Sequence, residues 1–315
     1  MSASFAVNGP LPGRVRLVEV GPRDGLQNEP HTVPLKAKLA LIEALAEAGL
    51  HFIESGGFVS PKWVPQMADT AEVLSSLKRK PGVSYSVLVP NLQGLELALG
   101  CSAREIAVFA AASETFSLRN TNVSIRESLL RLEEVTRQAL LAGIRVRGYV
   151  SCVMGCPYEG QVDLPAVLRV AEELAAMGCY EISLGDTIGV GTPLQTQALI
   201  CAVEKRLPLA RIAVHFHDTW GQALANILAA LAMGVTVIDS SVAGLGGCPY
   251  APGASGNVAT EDVLYMLHGM GIETGVNLEK VALAGAEICR VLWQKPASRA
   301  AAALLGQMKP KEPAR

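Results

Sequence analysis

The sequence lacks an excess of charge of either sign and has few aromatic residues. It contains 27 basic and 29 acidic residues, which give a net charge of −2 at pH 7, and 5% of its residues are aromatic. Nucleic-acid-binding domains usually carry a basic surface, and many of them stack bases on aromatic rings. The composition therefore predicts no nucleic-acid partner, and the charge balance gives no reason to expect binding to an anionic membrane surface.

Apolar segments long enough to cross a membrane are also missing. The most membrane-like stretch, residues 223–238, is shorter than the roughly 20 apolar residues that a bilayer requires, and it is interrupted by Asn226, Gly234 and Thr236. The first residues contain no hydrophobic core of the kind found in secretory signals. These features predict a soluble protein without a membrane partner.

Cysteine usage indicates a reducing compartment. The seven cysteines are an odd number, they are scattered along the chain, and none belongs to a Cys-x-x-Cys motif. Secreted proteins stabilised by disulfides usually show a regular framework of paired cysteines. The sequence therefore predicts reduced thiols and a cytoplasmic location.

Strand-like and helical segments alternate along most of the chain. Apolar, strand-like segments begin near eight positions: Val15, His51, Ser84, Glu105, Arg145, Cys179, Arg211 and Val235. The helical segments between them often end in glycine, the residue that most easily adopts the left-handed conformation past a helix end. This alternation predicts a (β/α)8 TIM barrel with extra C-terminal helices. A doubly wound open sheet is the alternative, but its first strand would normally be followed by a glycine-rich phosphate loop, where this chain has Gly-Pro-Arg-Asp.

We expect three segments along the chain. Residues 1–14 form an N-terminal tail, residues 15–293 form the catalytic barrel with its helical cap, and residues 294–315 form a C-terminal tail. The last segment is rich in alanine and interrupted by proline and lysine, which is typical of a frayed chain end.

Two histidines stand at the end of the seventh predicted strand. The segment Arg211–Asp218 reads RIAVHFHD, so a strand directs the rings of His215 and His217 to the same face. Neutral imidazole is a frequent metal ligand, so the pair suggests a shared metal ion, although two independent buried histidines would give the same pattern. The following Thr219-x-x-Gln222 matches a capping box and predicts that the next helix begins there.

Barrel geometry predicts which other residues can join the histidines. Catalytic groups of such barrels lie at the C-terminal ends of the strands, and closure places the eighth strand between the first and the seventh. Asp24 follows the first strand and Asn257 follows the eighth, so both can reach His215 and His217. Two imidazoles, a carboxylate and an amide oxygen, without a thiolate, favour Mg²⁺ or Mn²⁺ over Zn²⁺.

Three further polar residues stand at or near strand ends. Glu54 lies inside an apolar strand, where a buried carboxylate needs a partner, and Arg23 after the adjacent strand is a candidate. Asp186 ends the sixth strand, where it could act as a catalytic base or simply cap a turn. Arg23 could likewise be catalytic or pair with a surface carboxylate.

Cys248 lies in an unusually glycine-rich loop after the eighth strand. The loop and its flanks contain Gly244, Gly246, Gly247, Gly253 and Gly256. A thiol in such a loop, beside a metal site, is a candidate proton donor or nucleophile. An ordinary small buried residue is the alternative.

Six segments of the sequence resemble the 3-hydroxy-3-methylglutaryl-CoA lyase family: VGPRDGLQNE, FVSPKWVPQMAD, RGYVSCVMGCPYEG, GCYEISLGDTIGVGTP, AVHFHDTWGQALAN and DSSVAGLGGCPYAPGASGNVATEDVLYML. The resemblance covers about residues 15–290 and implies a metal-dependent TIM barrel. By position, the resemblance implies that four residues bind the metal: Asp24, His215, His217 and Asn257. It also implies substrate activation by Arg23, catalysis by Cys248, and a supporting role for three acids: Glu54, Asp186 and Glu261.

The resemblance implies cleavage of an acyl-CoA substrate, 3-hydroxy-3-methylglutaryl-CoA, to acetoacetate and acetyl-CoA, by an enzyme expected to be a homodimer. Asp186 or a bound water is the expected initial base. One departure concerns Ser55-Gly56-Gly57, where family members typically carry bulkier hydroxyl residues. A lyase for longer 3-alkyl chains therefore stays open as an alternative. So do a related Claisen or aldol enzyme of the same barrel group and a non-catalytic barrel used for binding.

Overall fold

The computed structural model describes residues 10–247 and 256–308. Eight parallel strands pair in chain order, and the first strand pairs with the eighth, so the sheet closes into a barrel. The strands are β1 (Arg16–Glu19), β2 (Phe52–Gly57), β3 (Ser84–Leu88), β4 (Glu105–Ala111), β5 (Arg145–Ser151), β6 (Glu181–Asp186), β7 (Ile212–Phe216) and β8 (Val237–Ser240). The predicted (β/α)8 barrel is confirmed.

Helices cover the outside of the barrel. They are α1 (Leu35–Glu47), α2 (Thr70–Ser76), α3 (Leu92–Gly100), α4 (Glu114–Thr121), α5 (Ile125–Leu141), α6 (Leu164–Ala176), α7 (Pro193–Val203), α8 (Ala223–Ala232), α9 (Thr260–Gly269), α10 (Leu278–Val291) and α11 (Arg299–Met308). Helix α5 shows why they pack there, because its buried residues recur every three or four positions, as in Leu129, Leu132, Val135 and Ala139. The apolar core therefore lies between the helices and the outer face of the sheet.

Some helix starts are fixed by local capping, and one start differs from the sequence-based expectation. Ser124 and Glu127 form a reciprocal capping box at the start of α5. The predicted box at Thr219-x-x-Gln222 is wrong, because α8 begins only at Ala223 and the carboxylate of Asp218 accepts the hydrogen bond from the Ala223 amide at 2.9 Å. The intervening residues turn, which keeps them out of the helix.

The C-terminal region also differs from expectation. Residues 299–308, predicted to belong to a frayed tail, form α11, which packs on α9 and α10. Ser298 explains the helix start, since its hydroxyl accepts from the Ala301 amide at 3.0 Å and donates to Asp262 at 2.8 Å. The limits of the catalytic domain itself stay a prediction. Within residues 10–247 and 256–308, the helices are too short or too polar to cross a bilayer.

Charged side chains occupy part of the barrel interior. Arg147 of β5 is 2% exposed and donates hydrogen bonds to both carboxylate oxygens of Asp239, at 2.7 and 3.0 Å. Its Nε donates to Glu181 at 2.7 Å, and Glu181 also pairs with Arg16. Because Arg147, Asp239 and Glu181 have partners of opposite charge, this part of the interior tolerates ions where most barrels of this kind place apolar layers.

Candidate active site

Three of the predicted metal ligands meet at the C-terminal ends of the strands. Asp24 lies in a helical turn, Gly21–Gly25, directly after β1. His215 belongs to β7, and His217 follows that strand by one residue. One ligand atom from each residue lies within 4.8 Å of the other two, which is close enough for all three to bind one cation.

Asn257, the fourth predicted ligand, lies beside this cluster. Its backbone forms an isolated bridge with His217, and its Nδ2 donates to Oδ2 of Asp24 at 2.7 Å. A metal would bind the amide oxygen, whereas the amide nitrogen faces Asp24 here. A half-turn of the amide group exchanges the two atoms, which have nearly the same shape.

The charges of the cluster suit a divalent cation. Burial, and then the neighbouring His215, lowers the pKa of His217 to about 4, so this imidazole is neutral at pH 7. Burial would raise the pKa of Asp24, but Arg23 and the two histidines lower it to about 2. The buried Nδ1 of His217 has no hydrogen-bond partner among the described residues. An ionised carboxylate at Asp24 and a neutral imidazole with an unused nitrogen at His217 are donors that suit a divalent metal.

Arg23 connects the cluster to Glu54 of β2, the buried carboxylate for which the sequence suggests Arg23 as a candidate partner. Its Nε and Nη2 lie 2.8 and 2.7 Å from Oε2 of the fully buried Glu54, and its Nη1 donates to Oδ1 of Asp24 at 2.7 Å. The Tyr149 hydroxyl also donates to Glu54, at 3.3 Å. Burial raises the pKa of Glu54, and the charge of Arg23 opposes that rise. Glu54 therefore fixes the orientation of Arg23 at the barrel mouth.

Asp186 ends β6, and the structure shows the turn contacts that the sequence allowed, while its role as a catalytic base stays a prediction. Its oxygens accept hydrogen bonds from the amides of Val190 and Gly191, at 3.2 and 2.8 Å, so it stabilises the turn after β6. Burial raises its pKa to about 6, although those backbone hydrogen bonds act in the opposite direction. A carboxyl group with a pKa close to neutrality is suited to proton transfer.

Cys248 lies outside the described residues, so its predicted position beside the metal stays a prediction. The chain on either side of residues 248–255 is tightly placed near the cluster. A Cβ on Gly246 would lie 2.8 Å from Nδ2 of Asn257, and a Cβ on Gly256 would lie 1.6 Å from the Gly246 carbonyl oxygen. Only glycine fits these two positions, which brings both ends of the segment to Asn257.

Glu261 lies outside the cluster of Asp24, His215 and His217. It is buried at the start of α9, and its two oxygens accept from the Ala243 amide at 3.0 and 2.9 Å. Burial raises its pKa to about 8. Glu261 thus holds the turn after β8, which leads towards Asn257.

Sequence reasoning missed two buried acids beside the site. Glu19 ends β1 and accepts hydrogen bonds from the amides of Gly21 and Val242, so it ties the turn that carries Asp24 to the turn after β8. Asp239 of β8 lies 3.3 Å from Nδ1 of His215. Burial would raise the pKa of Asp239, but Arg147 and His215 hold it well below its ordinary value. The available signal was the one that marked Glu54: a single acid within an apolar strand.

Comparisons with known proteins identify the family of the chain. Residues 14–288 match the family model described as HMGL-like. The mitochondrial hydroxymethylglutaryl-CoA lyase of Bos taurus is 59% identical over 295 residues, which cover 94% of this chain and 91% of that protein. The 3-hydroxy-3-isohexenylglutaryl-CoA/hydroxy-methylglutaryl-CoA lyase of Pseudomonas aeruginosa is 59% identical over 297 residues, which cover 94% of this chain and 99% of that protein.

Solved structures give the same result. The crystal structure of hydroxymethylglutaryl-CoA lyase from Pseudomonas aeruginosa superposes with a TM-score of 0.93 at 59% identity, covering 94% of this chain and 99% of the other. An HMG-CoA lyase from Acinetobacter baumannii, in complex with coenzyme A and 3-methylmalate, has a TM-score of 0.88 at 33% identity, covering 96% and 97% of the two chains. The predicted lyase family and its barrel are confirmed, and the chain belongs to the HMGL-like family of enzymes.

Proposed function

We propose that the protein cleaves 3-hydroxy-3-methylglutaryl-CoA to acetoacetate and acetyl-CoA with the help of one divalent cation. The observation that carries this proposal is the approach of Asp24, His215 and His217 to within 4.8 Å of one another, next to Arg23. The names of the similar lyases support the substrate, and the complex of the Acinetobacter baumannii protein with coenzyme A supports an acyl-CoA as the substrate class.

Asp24, His215 and His217 would hold the cation, with Asn257 as a fourth ligand. The donor set contains oxygen and imidazole nitrogen and no thiolate among the described residues, which favours Mg²⁺ or Mn²⁺. Bound there, the cation would act as a Lewis acid towards the hydroxyl and carboxylate oxygens of the substrate.

Arg23 stabilises the negative charge that develops during cleavage. A base removes the proton of the C3 hydroxyl, the bond between C2 and C3 breaks, and its electron pair passes into the thioester as an enolate. Glu54 and Asp24 hold Arg23 in place. Each Nη nitrogen still carries a second hydrogen that these contacts do not use and that can be donated to the substrate. A pre-oriented cationic donor of this kind favours the transition state more than the bound substrate.

Two groups move protons in this scheme. Asp186, with its pKa raised to about 6, is largely ionised at pH 7 and is able to remove the hydroxyl proton directly or through a water. Cys248 protonates the acetyl-CoA enolate, an assignment that rests on the sequence alone. The thiol proton moves to carbon, and the resulting thiolate regains a proton from solvent.

Product identification tests the proposal. Protein treated with EDTA is incubated with 3-hydroxy-3-methylglutaryl-CoA, with and without Mg²⁺, and the products are identified by mass spectrometry. We expect equal amounts of acetoacetate and acetyl-CoA, formed only with the cation. A parallel reaction contains acetyl-CoA and a keto acid: condensation there, without cleavage in the first reaction, would indicate a synthase of the same barrel group, and no turnover in either reaction would indicate a binding protein.

A second candidate substrate is a longer 3-hydroxy-3-alkylglutaryl-CoA. A Cβ on Gly57 would lie 3.3 Å from Cβ of Leu88 and 3.8 Å from Cγ of Arg23, so glycine takes up less room beside the proposed catalytic arginine than any other residue would. The Pseudomonas aeruginosa relative is named as acting on both the methyl and the isohexenyl compound. The two substrates are distinguished by comparing kcat/KM for each with the same enzyme.

We also propose a homodimer in a reducing, cytoplasmic setting. The described cysteines are free thiols, which supports the reducing, cytoplasmic setting. Light scattering during gel filtration measures the oligomer, and fractionation of the source cells locates the protein.

A further inference from the structure

Asp239 connects the charged interior of the barrel to the candidate metal site. It lies on β8 opposite His215 of β7, and its side chain is buried. Its Oδ1 accepts from Arg147 at 2.7 Å, and its Oδ2 accepts from Arg147 at 3.0 Å and from the Ser183 hydroxyl at 2.7 Å. The same Oδ2 lies 3.3 Å from Nδ1 of His215.

We propose that Asp239 is a positioning residue, which keeps the proton of His215 on Nδ1 and so presents an unprotonated Nε2 to the cation. The inference rests on the metal site of the proposed function and not on the identity of the acyl-CoA. It concerns a residue outside the ligand set.

The hydrogen-bond inventory supports this assignment. Arg147 approaches both oxygens of Asp239, the two-pronged geometry of a guanidinium with a carboxylate. Ser183 donates to the same group. A carboxylate in that setting can only accept hydrogen bonds. The hydrogen between Asp239 and His215 must therefore come from the imidazole. In a neutral ring, a hydrogen on Nδ1 leaves Nε2 with a free lone pair.

That lone pair faces the cluster. Nε2 of His215 lies 3.8 Å from Oδ2 of Asp24, on the opposite side of the ring from Asp239. The other tautomer would aim an N–H bond at the space the cation needs. The Tyr149 ring packs edge-on against His215, with centroids 5.9 Å apart, and limits rotation of the imidazole. Supporting groups of this kind typically change metal affinity by about 10–100-fold when they are removed.

Glu181 provides a matched control. It is buried in the same interior and accepts from Nε of the same Arg147 at 2.7 Å. Its hydrogen-bond and ion-pair partners are the two arginines Arg16 and Arg147, and His215 is not among them. Glu181→Gln therefore removes the same charge from the same arginine as Asp239→Asn without touching the histidine.

The first experiment reads the tautomer directly. The chain has five histidines, so metal-free protein labelled with ¹⁵N-histidine gives a simple two-bond ¹H–¹⁵N spectrum at pH 8, with His215 assigned from a His215→Asn variant. We expect the Nδ1–H form in the wild type. An Nε2–H form would overturn the proposal. This measurement needs no Asp239 variant, so it decides the question even if Asp239→Asn does not fold.

The second experiment measures Mn²⁺ affinity by electron paramagnetic resonance. Asp239→Asn should bind Mn²⁺ about 10–100-fold more weakly, since its amide would donate to Nδ1 and move the ring proton to Nε2, while Glu181→Gln should bind as the wild type does. Equal loss in both variants, or no loss in Asp239→Asn, would contradict the role. His217→Ala separates the two proposals: if it binds Mn²⁺ normally, the metal site itself is misplaced.

Discussion

The guanidinium of Arg23 and the carboxylate of Glu54 form a buried pair, with both Nε and Nη2 of the arginine within 2.8 Å of one glutamate oxygen. The two residues belong to neighbouring parts of the barrel, the turn after β1 and strand β2. The pair places a fixed positive charge beside Asp24, and the proposed mechanism uses this charge to stabilise the enolate. Its orientation is set before the substrate binds, which is what electrostatic catalysis requires.

Replacing Arg23 by glutamine tests that assignment. Because Arg23 acts mainly on the transition state, Arg23→Gln should lower kcat by about 10²–10³-fold with a small change in KM. Steady-state kinetics measure both constants. Arg137→Gln, which removes an exposed arginine of α5 paired with Glu134, serves as the control. A large rise in KM with kcat unchanged would reassign Arg23 to simple substrate binding.

Asp186 should determine the acidic side of the pH profile. Its pKa is raised to about 6, and a general base must be ionised, so kcat/KM should fall as the pH decreases through about 6. Asp186→Asn should lower the rate and abolish that decrease. The pH dependence of kcat/KM from pH 5 to 8 checks the prediction. An unchanged acidic limb in the variant would show that Asp186 is not the base. A bound water would then remove the proton, and Asp186 would only stabilise the turn after β6.

Gly57 should influence the length of the accepted alkyl chain. A serine there would place its Cβ 3.3 Å from that of Leu88 and near Arg23, and so narrow the space. Gly57→Ser should lower kcat/KM for 3-hydroxy-3-isohexenylglutaryl-CoA relative to the methyl substrate by about tenfold or more. Gly100→Ser, at an exposed position with open space around it, is the control. Equal effects on both substrates would show that Gly57 does not determine the length of the accepted alkyl chain.

Cys248 should be required for protonating the product. Cys248→Ser replaces a thiol by a much weaker acid, so turnover should fall by about 10²–10⁴-fold, the usual contribution of a general acid, while Mn²⁺ binding persists. Alkylation should inactivate the wild type, and substrate should protect it. Mass spectrometry distinguishes Cys248 from the six other cysteines. Turnover near the wild-type rate in Cys248→Ser would place the acid elsewhere.

The barrel and most of the ligand cluster were predictable because both follow from position along the chain. Eight alternating units indicate closure, and closure brings the ends of the first, seventh and eighth strands together. Asp24, His215 and His217 stand at those ends, so their approach needed no knowledge of side-chain contacts.

The misses have physical causes that a single sequence conceals. Asp239 and Glu19 lie within strands, and their partners depend on register and on which face turns inward. The start of α8 was misplaced because the carboxylate of Asp218, not a local capping box, satisfies the Ala223 amide. Helix α11 was missed because its cap involves Asp262, which is 36 residues away from Ser298.

The most direct test of the proposed metal site is the binding of Mn²⁺ to His217→Ala, measured by electron paramagnetic resonance beside the wild type. The control is His268→Ala. His268 lies outside the cluster, where its ring is hydrogen-bonded to Thr274. We expect one bound Mn²⁺ per chain in the wild type and in the control. We expect His217→Ala to bind Mn²⁺ more than about 100-fold more weakly, because loss of a direct ligand should weaken binding more than loss of a supporting group. Wild-type affinity in His217→Ala would contradict a metal centre formed by Asp24, His215 and His217.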